Sequence, residues 1–231
     1  MNFIKKKIPE ISVEDIKLIN TVQKYSMTSV PSIWSLIKSI NYLYQNKIKG
    51  DFVECGIWKG GNIILMQKLL NRFKNKKVEI YGYDTFEGLT RPDARDTPWH
   101  NRYNTIKVWE KKSQKNYNTW CYSGIDEVKD NISTEVGFKN NIKLIKGKVE
   151  DTLLQKSNVP KKISLLRLDT DWYKSTKIEL DVLYPLLSKG GILLIDDYGH
   201  WKGARKATDQ YFKGRKVLMH RVDYTCRLIV K

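Results

Sequence analysis

The sequence predicts a single α/β fold: a mostly parallel, seven-stranded sheet with helices on both faces, closed at its C-terminal end by an antiparallel hairpin. Three observations carry this. From residue 51 onward, short runs rich in Ile, Val and Leu alternate with stretches of helical periodicity, the pattern of strands buried on both faces by crossover helices. Residues 163–198, ISLLRLDTDWYKSTKIELDVLYPLLSKGGILLIDDY, read as a complete β-α-β unit in which Gly190-Gly191 ends the crossover. Residues 217–222 and 227–230 flank Asp223-Tyr224-Thr225 and read as the hairpin.

In order, residues 1–30 read as irregular or weakly helical, with 25–31 as a linker. A helix starts at Pro31, where Ile33, Trp34, Ile37, Ile40 and Tyr44 recur at helical spacing and Lys49-Gly50 ends the stripe. Residues 51–56, DFVECG, form a first strand leading into Ile57-Trp58-Lys59-Gly60-Gly61-Asn62 and a helix from Ile63 to about Phe73. A second strand, 78–83, ends at Asp84. Residues 85–124 have the least periodicity; a stretch this long is a lid or binding loop, whose aromatics serve either to stack on a ligand or to seal the loop. A helix follows at 125–133, a third strand at 142–145, and a loop at 146–153 placed to border an adenine. After the central unit, a helix runs from Ala204. The expected organisation is an N-terminal helical or lid segment, 1–48, on a catalytic domain, 49–231.

A chain of 231 residues can bury a core without staples. Three scattered cysteines form no disulfide framework and suit a reducing compartment. The N-terminal MNFIKKKIPEIS lacks the apolar core of a signal peptide and nothing reaches membrane-spanning length, so a cytoplasmic protein with no membrane span is expected. The net charge of +17 fits nucleic acid, an anionic membrane or phosphorylated substrates. It is mostly lysine spread over helix faces and loops, however, and a compositional bias produces that as readily as a binding patch.

Two features carry chemistry. The apolar runs of the central unit end in Asp169-Thr170-Asp171 and Asp196-Asp197. Adjacent parallel strands finish at one sheet edge, where open α/β sheets bind ligands, so four carboxylates converge there. A lone aspartate at a strand end usually caps the next helix. Two acidic pairs on consecutive strands repel unless a cation sits among them, and oxygen-only donors select Mg2+, with Mn2+ or Ca2+ as alternatives. The second feature is the turn Glu54-Cys55-Gly56-x-x-x-Gly60-Gly61-Asn62, with Asp84 a little over twenty residues on, where an acid would grip ribose hydroxyls. The glycine spacing is not that of a dinucleotide site, and Glu54 would repel a pyrophosphate. It suits a ligand with an ammonium and a sulfonium, as S-adenosylmethionine has.

The chain resembles the macrocin O-methyltransferase (TylF-like) family over nearly its whole length, through GDFVECGIWKGGN, YGYDTFEGL, KGKVEDTL, LLRLDTDWYKST, LYPLLSKGGILLIDDYGHWKGARKATDQYF and, more loosely, YSMTS near Tyr25. The resemblance implies a Rossmann-like class I methyltransferase that uses S-adenosylmethionine and Mg2+ to methylate a sugar hydroxyl in antibiotic or polysaccharide biosynthesis. It implies Asp169, Asp196 and Asp197 as metal ligands, and Asp171 as general base with His200 as runner-up. Glu54, Gly56, Gly60 and Asp84 would line the cofactor site with Gly61, Asn62 and Val149. The acceptor, a sugar that is nucleotide-linked, phosphorylated or part of a glycoside, does not carry over, nor does the oligomeric state, a homodimer being one arrangement for the apolar N-terminal helix. The alternative is a metal-dependent glycosyltransferase using the Asp169-Thr170-Asp171 triplet as a D-x-D motif. A nucleic-acid enzyme is a third reading, disfavoured because DTDWY stands where the DNA amino-methylating enzymes carry a proline-aromatic motif.

Overall fold

The computed structural model describes residues 8–231. The part of the N-terminal expectation on residues 1–7 lies outside them. Seven strands form one sheet in the order β3-β2-β1-β4-β5-β7-β6. They are β1 (Asp51–Cys55), β2 (Ile80–Asp84), β3 (Ile142–Lys146), β4 (Ile163–Leu168), β5 (Leu187–Ile195), β6 (His220–Arg221) and β7 (Arg227–Val230). The first five pair in parallel; β7 runs antiparallel to β5 and β6. The predicted layout is therefore present, although the first hairpin strand is only two residues long.

Alternation along the strands sorts the core into two layers. Phe52, Ile80, Leu165 and Ile192 face one side, with helices α1 (Val13–Val22), α2 (Val30–Gln45), α3 (Gly61–Arg72) and α5 (Ile125–Val136). Val53, Leu166, Leu168 and Leu193 face the other, with α7 (Tyr173–Leu183) and α8 (Lys202–Phe212). Two short helices, α4 (Thr105–Lys112) and α6 (Val149–Thr152), lie in connections.

Four local differences from the sequence reading have physical reasons. Residues 13–22 form a regular helix, capped by the Ser12 hydroxyl accepting from the Asp15 amide at 3.0 Å, with Ile16, Ile19 and Val22 buried. The segment 85–124 contains α4, capped by Asn104. The crossover helix stops at Leu183, because Pro185 cannot continue it, and β5 runs through Gly190-Gly191 rather than starting after them. The last helix begins at Lys202, two residues before Ala204.

The strand order reverses between β1 and β4, which opens a crevice at their carboxyl ends. Gly56 makes the crevice tight. Its φ is +80°, and a Cβ there would lie 1.9 Å from the Asp169 carbonyl oxygen. The β1 turn and the β4 turn are thus pressed together.

Two buried acids hold the far side of the β4 turn. Asp96 accepts from the Tyr173 amide at 2.7 Å and the Asp93 amide at 2.8 Å, capping α7 from the long loop. Glu179 on α7 is 0 % exposed; its Oε1 accepts from the Thr170 hydroxyl at 2.9 Å, while its Oε2 has no partner among the described residues. Asp96→Ala should cost about 1–3 kcal/mol and speed proteolysis within residues 90–104, measured by urea melts and limited digestion. Burial lifts the Glu179 carboxyl to about 8 from 4.5. The folded state then holds a proton that the unfolded chain releases above pH 4.5, so this acid erodes stability as pH rises toward 8. Glu179→Gln should match wild type near pH 4.5 and exceed it by several kcal/mol (order of magnitude) at pH 8 in paired melts.

Candidate active site

At the reversal point lies a cavity of about 540 Å³, within the range of small-molecule sites. Its floor is made by the carboxyl ends of β1, β2, β4 and β5, and the segment 26–28 between α1 and α2 covers one end. Glu54, Gly56, Asn62, Asp84, Val149, Asp169, Asp171, Asp196, Asp197 and His200 all border it. Gly60 and Gly61 do not. Gly60 supplies the left-handed residue before α3, and Gly61 leaves room for the Tyr25 carbonyl, 2.7 Å from where its Cβ would be.

The acids converge as the β4–β5 pairing dictates. Ligand oxygens of Asp169, Asp196 and Asp197 lie within 4.8 Å of one another, so the three can hold one cation. Asp171 has φ +67°, a left-handed turn that swings it back over Asp197; its amide donates to Asp197 Oδ2 at 2.9 Å. Its Oδ1 accepts from the Trp201 indole N–H at 2.5 Å. Burial and the neighbouring Asp169 charge push Asp171 up to about 7 and Asp196 up to about 8; burial and Asp171 push Asp197 well above the usual carboxylate range. Such a cluster is short of positive charge, and its all-oxygen donor set fits a hard divalent cation.

Asp169 and Asp196 rest on a side chain that the acidic and glycine motifs do not single out. Arg167, the penultimate residue of β4, is 1 % exposed. Its Nη1 donates to Glu54 Oε1 at 2.8 Å and Asp169 Oδ2 at 2.7 Å; its Nη2 donates to Asp196 Oδ1 at 2.8 Å and the Thr28 hydroxyl at 3.0 Å. The strand register explains this, since Glu54 and Arg167 are paired neighbours on β1 and β4 and point to one face. The signal available in sequence was an arginine inside the apolar run ISLLRL: a permanent charge in a buried strand needs acidic partners.

At the glycine turn, Asn62 Nδ2 donates to Glu54 Oε1 at 2.8 Å. Glu54 Oε2 and Asn62 Oδ1 are buried with no partner among the described residues. Both are acceptors, so this end of the cavity fits a ligand that brings N–H donors. Burial raises Glu54 to about 7 despite the arginine beside it. Asp84 is mostly committed to the fold: Oδ2 accepts from the Ile57 and Trp58 amides at 2.9 and 3.1 Å, and Oδ1 from the Phe86 amide at 2.8 Å and, more weakly, the Thr85 hydroxyl at 3.5 Å.

The long loop roofs the site. Trp120, Trp172 and Trp201 pack edge to face, with centroids 4.9–6.1 Å apart, and the Trp172 indole donates to the Thr90 carbonyl at 2.8 Å. These rings seal the loop to the body. Further out, Pro98 bridges Trp201 in a short antiparallel contact, and Trp99 is 52 % exposed, its indole N–H on the Tyr224 hydroxyl at 2.5 Å. His200 Nδ1 shares that hydroxyl at 2.8 Å, and burial and the nearby His100 keep the His200 ring below its ordinary pKa. Among the described residues no helix is long and apolar enough to cross a membrane.

Comparison with known proteins follows the same line. The chain is 27% identical over 196 residues to the demethyldecarbamoylnovobiocin O-methyltransferase of Streptomyces niveus, covering 81% of this chain and 67% of that protein. It is 26% identical over 175 residues to the 8-demethyl-8-(2,3-dimethoxy-alpha-L-rhamnosyl)-tetracenomycin-C 4'-O-methyltransferase of Streptomyces olivaceus, covering 75% and 62%. It therefore spans about two thirds of the length of these relatives. The fold matches the O-methyltransferase NovP with a TM-score of 0.78 at 22% identity, over 90% of this chain and 82% of that one. It matches the calicheamicin methyltransferase CalS11 with a TM-score of 0.61 at 17% identity, over 96% and 94%. Nothing in these matches supports the glycosyltransferase alternative. The macrocin O-methyltransferase (TylF) profile matches residues 19–230, nearly the whole chain, and the protein belongs to that family.

Proposed function

We propose that the protein is an S-adenosylmethionine- and Mg2+-dependent O-methyltransferase acting on a sugar hydroxyl. One observation carries the reading: a single cavity holds two buried, unpartnered acceptors at the glycine turn and a set of carboxylate oxygens at the adjoining strand ends. Glu54 Oε2 and Asn62 Oδ1 would receive the cofactor's ammonium, with Gly56 letting the backbone approach and Val149 beside the adenine. S-adenosylmethionine, when bound there, supplies the electrophilic methyl group. Asp169, Asp196 and Asp197 would hold Mg2+, or Mn2+ or Ca2+ in its place, and the bound cation supplies Lewis-acid stabilisation of a hydroxyl that is losing its proton.

The chain's own work is positioning, proton transfer and exclusion of water. Asp171 is the base: Trp201 fixes one of its oxygens, the residue borders the cavity, and such groups contribute about 10²–10⁴-fold. His200, neutral at physiological pH, is the second candidate. The packed tryptophans would shield the acids beside them from water, which strengthens charge interactions there. The helical segment before residue 49 acts as a lid through residues 26–28. A sugar acceptor draws support from the tetracenomycin relative, whose name specifies a rhamnosyl substrate. The basic surface favours a nucleotide-linked or phosphorylated sugar, in antibiotic or polysaccharide biosynthesis.

A methyl-transfer screen over rhamnosides, nucleotide-linked sugars and capsule-type saccharides, with and without Mg2+, tests the reading; no transfer to any sugar would overturn it. Asp196→Asn keeps an oxygen for Arg167 but loses a charge. It should abolish metal-stimulated turnover while S-adenosylhomocysteine still binds, read by calorimetry. Asp171→Asn should retain Mn2+ binding and lower single-turnover methyl transfer by about 10²–10⁴-fold. A loss confined to Mn2+ affinity would make Asp171 a ligand instead.

A further inference from the structure

Arg167 touches neither ligand proposed above, yet it holds a side chain from each half of the cavity. On Nη1, Glu54 belongs to the cofactor end and Asp169 to the cation end. On Nη2, Asp196 belongs to the cation end and Thr28 to the segment that covers the cavity. It occupies Oδ2 of Asp169 and Oδ1 of Asp196, which leaves the other oxygen of each unclaimed by it. Likewise it shares Glu54 Oε1 with Asn62 and leaves Oε2 bare. Each acid is thus gripped by one oxygen and presents the second.

We propose that Arg167 is a positioning residue that sets the geometry of the cofactor half and the cation half of the site together, with Thr28 fixing the orientation of its guanidinium. This rests on the methyltransferase reading. The arrangement needs a planar fork rather than a point charge, because two nitrogens must serve acceptors on β1, β4, β5 and the 26–28 segment at once. Its sign also separates it from a plain charge effect. An arginine that merely neutralised the acids would compete with a bound cation, so weakening it would tighten metal binding.

The test is calorimetric titration of S-adenosylhomocysteine and, separately, Mn2+ into wild type, Arg167→Lys and Thr28→Val, with circular dichroism and melting to establish folding. Arg167→Lys keeps the charge and loses the fork; it should weaken both ligands by about tenfold or more. Thr28→Val removes one hydroxyl and should weaken both by roughly two- to tenfold. A purely structural arginine would lower the melting temperature and leave the affinities of the folded protein alone. Wild-type affinity for either ligand in folded Arg167→Lys, or tighter Mn2+ binding, overturns the proposal. Should Arg167→Lys fail to fold, unchanged affinities in Thr28→Val overturn it. A wild-type protein that binds neither ligand is a different outcome, which brings down the methyltransferase reading and this inference with it.

Discussion

The end of the sheet is organised by one permanent positive charge placed where no water can reach it. Seven carboxylates, of Glu54, Asp84, Glu150, Asp169, Asp171, Asp196 and Asp197, border one crevice. A single guanidinium, on Arg167, binds three of them. Burying an arginine is costly, and the cost is offset only if its donors meet well-placed acceptors. Here Nη1 and Nη2 each meet two. The balance is still negative, and the shortage shows in Asp171, Asp196 and Asp197, all of which are driven toward the protonated form by burial and by one another. A set of charges built this way has room for more positive charge, which the proposed divalent cation and cationic cofactor group would bring.

The same region shows how the fold turns packing into placement. Gly56 allows the β1 turn to rest on the Asp169 carbonyl, which packs the acid set directly against the glycine turn. Asp96 holds the long loop to the start of α7, and the interlocked Trp120, Trp172 and Trp201 hold it to the β5 turn. The loop thus closes on the two turns that carry Asp171 and His200, and its tryptophans act as a fixed roof. The rings left with open faces, Trp99 and Tyr224, stand outside this roof with their polar edges tied to each other.

Much of this was legible in the residues. The paired acids at the ends of two consecutive apolar runs predict a shared edge, and β4 and β5 are neighbours in parallel register. What stayed hidden was hidden for identifiable reasons. Arg167 interrupts a run whose hydrophobicity alone calls the strand, and its partners lie 113 residues away at Glu54 and 139 away at Thr28. Residues 13–22 carry polar residues between three buried apolar positions, too few to outweigh them in a short window. Gly60 and Gly61 look like ligand-contacting glycines, but backbone geometry and the close approach of Tyr25 account for them. Asp84 has the spacing of a ribose-binding acid, yet most of its hydrogen-bonding capacity goes to the amides of the turns beside it.

The overall charge then has to be considered against the local one. The chain carries +17, while the crevice is lined with acids, three of them paired with the buried Arg167. The acids sit at the strand ends, Lys148 borders the cavity, and Lys202, at the start of α8, donates to Asn101 Oδ1 at 2.9 Å. Were the acceptor of the proposed reaction to carry a phosphate, the acids by themselves would repel it, since low-dielectric surroundings amplify like-charge repulsion. Lys148 borders the cavity and is the lysine that would face such a group, so the proposed acceptor would enter with its sugar ring first.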